Sequence, residues 1–256
     1  MTVTRIPAPA RRPAPVIKMP VRNGILAALL ATEYKHLLPK LEHVELQRDE
    51  IIYRADHAID AVYFPEEAVV AMVATTEGTR TVEVGIIGRE GIVGINIFLG
   101  GVITPDKAIV QLPGGAMRMK SKDLREQMRF GSPLQLVLLR YTRAFLAVIS
   151  QSVACCQHHS VEQRLARWLL TMNDYAGPGE FHMVHESIAA MLGVRRVSVT
   201  DAAAKLQEAA LISYRRGRIR VLDKSRLAKR SCECYRFIRR EYDGLHGELA
   251  RLLSRK

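Results

Sequence analysis

The spacing of apolar and polar positions changes along the chain, and the changes mark out its parts. Residues 24–38 place Ile25, Leu26, Leu29, Leu30, Leu37 and Leu38 at helical intervals, which predicts a helix there. From Val44 to about Met119 the period shortens. The runs EIIYRA, AVYFPEE, AVVAMVAT, RTVEVGII and KAIVQL are rich in Val and Ile and are broken by Gly, Asp, Asn or Pro. Thr76-Glu77-Gly78-Thr79 reads as a hairpin turn between two of them. Short strands in this order predict an antiparallel, jelly-roll-like β-roll.

The helical period then returns. Ser132 is placed to cap a helix, Pro133 suits its first position and Gln135 completes a capping box. Along this helix Leu134, Leu138, Tyr141, Phe145, Val148, Ser152 and Cys155 form a stripe whose spacings alternate four and three. A narrow stripe of that kind is the seam two helices share. A helix packed on its own domain would also bury one face, but the length and the narrowness favour a dimer seam. A second helix is expected from Ser160 to about Tyr175, with Val161, Leu165, Trp168, Leu169 and Met172 on one face, ended by Gly177-Pro178-Gly179. In the last stretch Leu227, Tyr235, Ile238, Tyr242, Leu245, Leu249 and Leu252 recur as in a helical tail, which could pack on the dimer or on the wing.

Between these helices lies the block HESIAAMLGVRRVSVTDAAAKLQEAALISYRRGRIRVLD. Ile188, Ala189 and Leu192 form the inner face of a short helix, and Gly193 permits a sharp turn. A second helix follows, with Val197, Ala204, Leu206 or nearby apolar positions expected inward and small residues allowing close packing. This is a helix-turn-helix pattern. Arg195, Arg196, Ser198, Val199 and Thr200 would open the second helix, where an Arg can pair with guanine and a Val can meet a thymine methyl. The helix N-terminus itself favours phosphate, and His185 would sit near it. Leu211–Tyr214 and Arg218–Val221 then read as a hairpin with Ile219 and Val221 inward. It carries Arg215, Arg216, Arg218 and Arg220, a wing suited to the phosphate backbone.

Charge supports this placement. The chain of 256 residues has a formal charge of +12, from 38 Lys and Arg against 26 Asp and Glu. Residues 158–256 hold 19 of those basic residues against 11 acids, so the excess favours a polyanion near the C-terminal third. No apolar run approaches the roughly 18 residues of a membrane span. The Pro-rich start, MTVTRIPAPARRPAP, is expected to be a disordered arm rather than a signal peptide. Cys155, Cys156, Cys232 and Cys234 make no disulfide framework in a chain of this length and are expected as reduced thiols in the cytoplasm. Their spacing matches no standard zinc motif, and no metal or cofactor is identified. A β-roll enzyme with a His-rich metal site is excluded because residues 44–120 hold only His57. An RNA-binding or nucleoid-packing protein would spread its basic residues without a sharp helix start.

The expected organisation is α+β: an arm over 1–20, the β-roll over 21–130, a dimerisation helix over 131–157, a winged helix-turn-helix over 158–223 and a helical tail over 224–256. At IAAMLGVRRVSVTDAAAKLQEAALI with its RRGRIRV, and at AVYFPEEAVV and GREGIVGINIFLGG, the sequence resembles the Crp/Fnr family of bacterial regulators. That resemblance implies a homodimer on near-palindromic double-stranded DNA, with half-sites about one helical turn apart. It also implies that an effector or redox event in the roll moves the DNA-binding domains, which act with RNA polymerase. The resemblance would put an effector pocket at Gly91, Gly94, Ile95, Asn96 and Lys107. Cyclic-nucleotide binders of the family follow that glycine with a Glu and later supply an Arg-Ser pair. Here Ile95 and Thr104-Pro105-Asp106-Lys107 stand instead, which argues against cyclic AMP and leaves an atypical pocket or an unknown effector. No cysteine precedes Cys155, so the family's N-terminal iron–sulfur cluster is absent. Val197 and Asp201 replace the Glu and later Arg of the best-known site reader, so the operator differs.

Overall fold

The computed structural model describes residues 21–75, 81–128, 130–177 and 179–253. The arm, the turn at 76–79, and the side chains of Leu249 and Leu252 lie outside the described residues. The chain opens with two short helices, α1 (Gly24–Ala27) and α2 (Ala31–Leu37), in place of the single helix expected. No proline or glycine marks the break. The buried Asn23 side chain accepts from the N–H groups of Ile25 and Leu26 and donates to Pro65 O and Gly91 O, which pins α1 to the roll.

Seven strands follow: β1 (Glu42–Leu46), β2 (Ile51–Tyr53), β3 (Ala61–Pro65), β4 (Val69–Thr75), β5 (Thr81–Ile87), β6 (Lys107–Leu112) and β7 (Gly114–Lys120). They form two antiparallel sheets, ordered β1-β7-β3 and β2-β6-β4-β5. The five Val/Ile-rich runs are all strands. The continuous apolar run of β4 has a physical reason. Val70 and Met72 face the interior of the roll, while Val69, Ala71 and Val73 face a second core shared with the C-terminal part of the chain. A strand buried on both faces needs no polar alternation.

After α3 (Ser121–Gln127) comes the long helix α4 (Pro133–His158), capped by Ser132 as expected. By length and composition α4 could span a bilayer, so the expectation that no segment approaches a span does not hold for this helix. Its apolar stripe is accounted for within the chain. Leu134, Leu138, Tyr141, Phe145, Val148 and Cys155 are all buried. The first five pack in the core of the roll together with Ile238, Tyr242 and Leu245 of the last helix. These residues are therefore not free to form a dimer seam, and the stripe follows the alternative of a helix packed on its own domain.

The C-terminal part contains α5 (Val161–Ala176), β8 (Glu180–His182), α6 (His185–Leu192), α7 (Arg196–Glu208), β9 (Ile212–Arg215), β10 (Arg218–Val221), α8 (Lys224–Arg230) and α9 (Cys234–Leu253). A full capping box, Ser160 with Gln163, starts α5. The tail helix α9 lies antiparallel along α4: Arg143 pairs with Glu241 at 3.2 Å, and Gln151 meets Cys234 further along. Arg239 of α9 also reaches Asp174 of α5 at 2.9 Å. The tail thus packs on α4 and α5 rather than on the wing.

Candidate nucleic-acid interface

α6 and α7 pack through Ile188, Ala189 and Leu192 on one side and Val199, Ala202, Ala203 and Leu206 on the other, all buried. Between them Gly193 ends α6 with φ 62° and ψ 38°, the left-handed conformation the turn requires. A side chain there would also press on Val82 of the roll, 3.1 Å from where its Cβ would stand.

The inward positions of α7 are spaced three, four and seven apart from Val199. That register corrects two expectations. Val199 is fully buried and cannot meet a base, because α7 begins at Arg196 and its fourth residue already faces α6. Val197, expected inward, is 67% exposed. Ala204 is exposed as well. Arg195 and Arg196 stand exposed at the first turn, with Thr200 exposed and Ser198 partly so. No side chain caps the N-terminus of α7, so its first N–H groups remain available to an anion. Among the described residues neither arginine has a carboxylate partner.

His185 does not present a cation to phosphate. Its Nδ1 lies 3.0 Å from Thr200 Oγ1, and its ring stacks on Tyr214 with centroids 4.3 Å apart. Burial, and then the nearby Arg196 charge, lower its pKa. The ring is thus a neutral spacer that joins α6, α7 and the wing.

The wing is a three-stranded sheet ordered β8-β10-β9. Arg215 pairs with Arg218 across a two-residue turn in which Arg216 has φ 51° and Gly217 φ 78°. Positive φ at both positions is the turn that fits strand twist. Arg215, Arg216, Arg218 and Arg220 all point to solvent while Ile219 is buried and Val221 partly so. Arg218 and Arg220 share Glu180, at 4.0 and 3.1 Å, whereas Arg215 and Arg216 have no carboxylate partner among the described residues.

Residues 163–230 match the Crp-like helix-turn-helix domain family. The chain carries a Crp-like DNA-binding domain on a Crp/Fnr fold. The same architecture is seen in FixK2 from Bradyrhizobium japonicum, at 17% identity and TM-score 0.64, covering 75% of this chain and 98% of that one. TTHB099, a CRP-family transcriptional regulator from Thermus thermophilus, is similar at 20% identity and TM-score 0.62, covering 73% and 96%. CLP from Xanthomonas campestris, a c-di-GMP-responsive global regulator, is similar at 14% identity and TM-score 0.61, covering 76% and 100%. No curated relative matches the sequence. The Crp-like domain begins and ends within the α5–α8 segment, so α9 lies beyond it.

Of the residues expected to form an effector pocket, Gly91, Gly94, Ile95 and Asn96 lie in the segment after β5 and Lys107 opens β6. Ile95 is buried in the core and Gly94, with φ 91°, starts a single 3-10 turn. Asn96 is in that turn, and Lys107 pairs with Val73 at the end of β6. The Tyr141 hydroxyl fills the space beside Gly91. A cavity of about 490 Å³ lies between Glu90 of the roll, Asp174 and Tyr175 of α5, and Tyr235, Arg239 and Tyr242 of α9. The cysteines also differ from expectation: Cys155, Cys232 and Cys234 converge with His159, and only Cys156 is exposed. The sequence hid this because the two halves lie about 75 residues apart.

Proposed function

We propose that this chain is a cytoplasmic, homodimeric, sequence-specific regulator of transcription, acting with RNA polymerase at a near-palindromic site. Arg195, Arg196, Val197, Ser198 and Thr200 enter the major groove, and Arg215, Arg216 and Arg218 follow the backbone. The observation that carries this reading is the pair of exposed arginines at the uncapped start of α7, which have no carboxylate partner among the described residues. An unpaired arginine keeps its five donors for guanine O6 and N7.

Dimerisation uses a second stripe on α4, one residue along from the buried one. Leu139, Leu146 and Val153 are exposed at 50%, 57% and 62%, and recur every seven residues. With Gln135, Thr142, Ile149 and Cys156 between them they restore the alternation of four and three. Control enters from the roll. A signal there reaches the Crp-like domain directly, because Trp168 Nε1 of α5 donates to Glu83 at 3.1 Å and Tyr175 to Glu90 at 2.9 Å.

Genome-wide mapping of bound sites, followed by fluorescence anisotropy on the recovered duplex, tests the proposal. Arg196→Ala is expected to cost about 1 to 3 kcal/mol on that duplex and relax one base position. Arg218→Ala should weaken specific and scrambled duplexes alike and flatten the salt dependence. Equal affinity of the wild type for specific and scrambled DNA would instead support non-specific nucleic-acid binding.

A further inference from the structure

The α4–α5 hinge holds a group of side chains that DNA binding does not use. Cys155 and His159 stand one helical turn apart at the end of α4, and Cys232 and Cys234 at the start of α9. Their four donor atoms all lie within 4.8 Å of one another. Cys155 Sγ is 3.6 Å from Cys232 Sγ, and Cys234 Sγ is 3.7 Å from His159 Nδ1. Four ligands about 2.3 Å from one tetrahedral ion stand roughly 3.8 Å apart. An iron–sulfur cluster, whose ligands bind different irons, would hold them wider.

Two surrounding contacts point the same way. The other ring nitrogen of His159, Nε2, is 3.2 Å from Glu233 Oε1, the carboxylate–histidine arrangement that orients a metal-binding imidazole. Gln151 Nε2 donates to Cys234 Sγ at 3.1 Å, as suits a sulfur carrying negative charge. The three sulfurs are buried, so the set is closed to substrate.

We propose that Cys155, His159, Cys232 and Cys234 bind one divalent ion of the zinc class, which clasps the tail helix to the hinge above the Crp-like domain. The three thiols release their protons as the ion enters, and no electron is transferred. Soft sulfur with one imidazole in a tetrahedron selects zinc over hard cations. The ion fixes the angle at which α4 leads into α5, and hence where α7 is held.

Elemental analysis of the full-length protein, purified anaerobically, loaded with Zn²⁺ and desalted, should find one ion per chain. Stripping with a chelator should lower Tm by about 5 °C or more, restored by Zn²⁺ and not by Mg²⁺. Co²⁺ in its place should show the absorption of a tetrahedral thiolate site. Cys234→Ser and His159→Ala should lose the ion, while Cys156→Ser keeps it. A wild type that holds no ion after loading overturns the proposal without any variant needing to fold. So does a Cys155–Cys232 disulfide in the anaerobic protein, or full retention by Cys234→Ser. None of these outcomes bears on whether α7 reads DNA.

Discussion

Two valines on α7 separate packing from recognition. Val199 lies in the interface with α6 and Val197 on the opposite face. Removing two methyl groups at Val199 opens a cavity, so Val199→Ala should cost about 2 kcal/mol of stability. The fraction that stays folded should keep its sequence preference. Val197→Ser exposes nothing new and should leave Tm within about 1 °C, yet change which base is preferred at one position through loss of a methyl contact. Thermal melting paired with a duplex library checks both. If Val199→Ala altered base preference and Val197→Ser did not, the rotation of α7 against the duplex would be wrong. The sequence located α7 but not its rotation. A glycine turn and an arginine pair mark the helix start, whereas which of two valines faces inward depends on where the first turn closes.

The same limit appears at the level of elements. Strands rich in β-branched residues are visible because each carries its own apolar pattern. β1 (EHVEL) and β7 (GGAMRMK) lack that signature and are strands through their pairing with each other and, for β7, with β3. On α4 the pattern was real and its partner was not deducible. Two stripes with the same spacing run along the helix, and only the docking of the roll and of α9 decides which one stays free. The consequence is testable. Leu138→Ala should lower stability by about 2 to 5 kcal/mol and leave the protein dimeric. Leu146→Glu should remain folded and become monomeric, because it places like charges across the shared seam. Sedimentation velocity across a concentration series distinguishes them, and a dimeric Leu146→Glu would refute the exposed seam. The clustered cysteines are a third case: no segment contains the site, and α9 creates it by lying back along α4.

At the scale of the whole molecule, the roll and the Crp-like domain share one core, and a carboxylate sits at the junction. Glu83 on β5 accepts from Trp168, whose ring is fully buried in α5. Burial pushes the Glu83 carboxyl up to about 7 from its ordinary 4.5, against the opposing pull of the Arg167 charge and the Trp168 hydrogen bond. The folded chain therefore keeps a proton that the unfolded chain releases between those values. Stability from this group is fully present below about pH 4.5 and declines as pH rises to about 7, since the native state binds more protons throughout that window. Glu90, hydrogen-bonded to Tyr175 and also raised by burial, acts in the same direction, while the lowered Asp174 acts in the opposite one. A pH profile of the wild type alone mixes these groups, so the informative quantity is the difference from Glu83→Gln, which cannot ionise and keeps an acceptor for Trp168. That variant should match the wild type in Tm near pH 5 and exceed it by about 3 °C or more at pH 8. A difference that stays flat from pH 5 to 8 would mean the carboxylate is solvated, and that the contact between the roll and the DNA-binding domain is looser than the shared core requires.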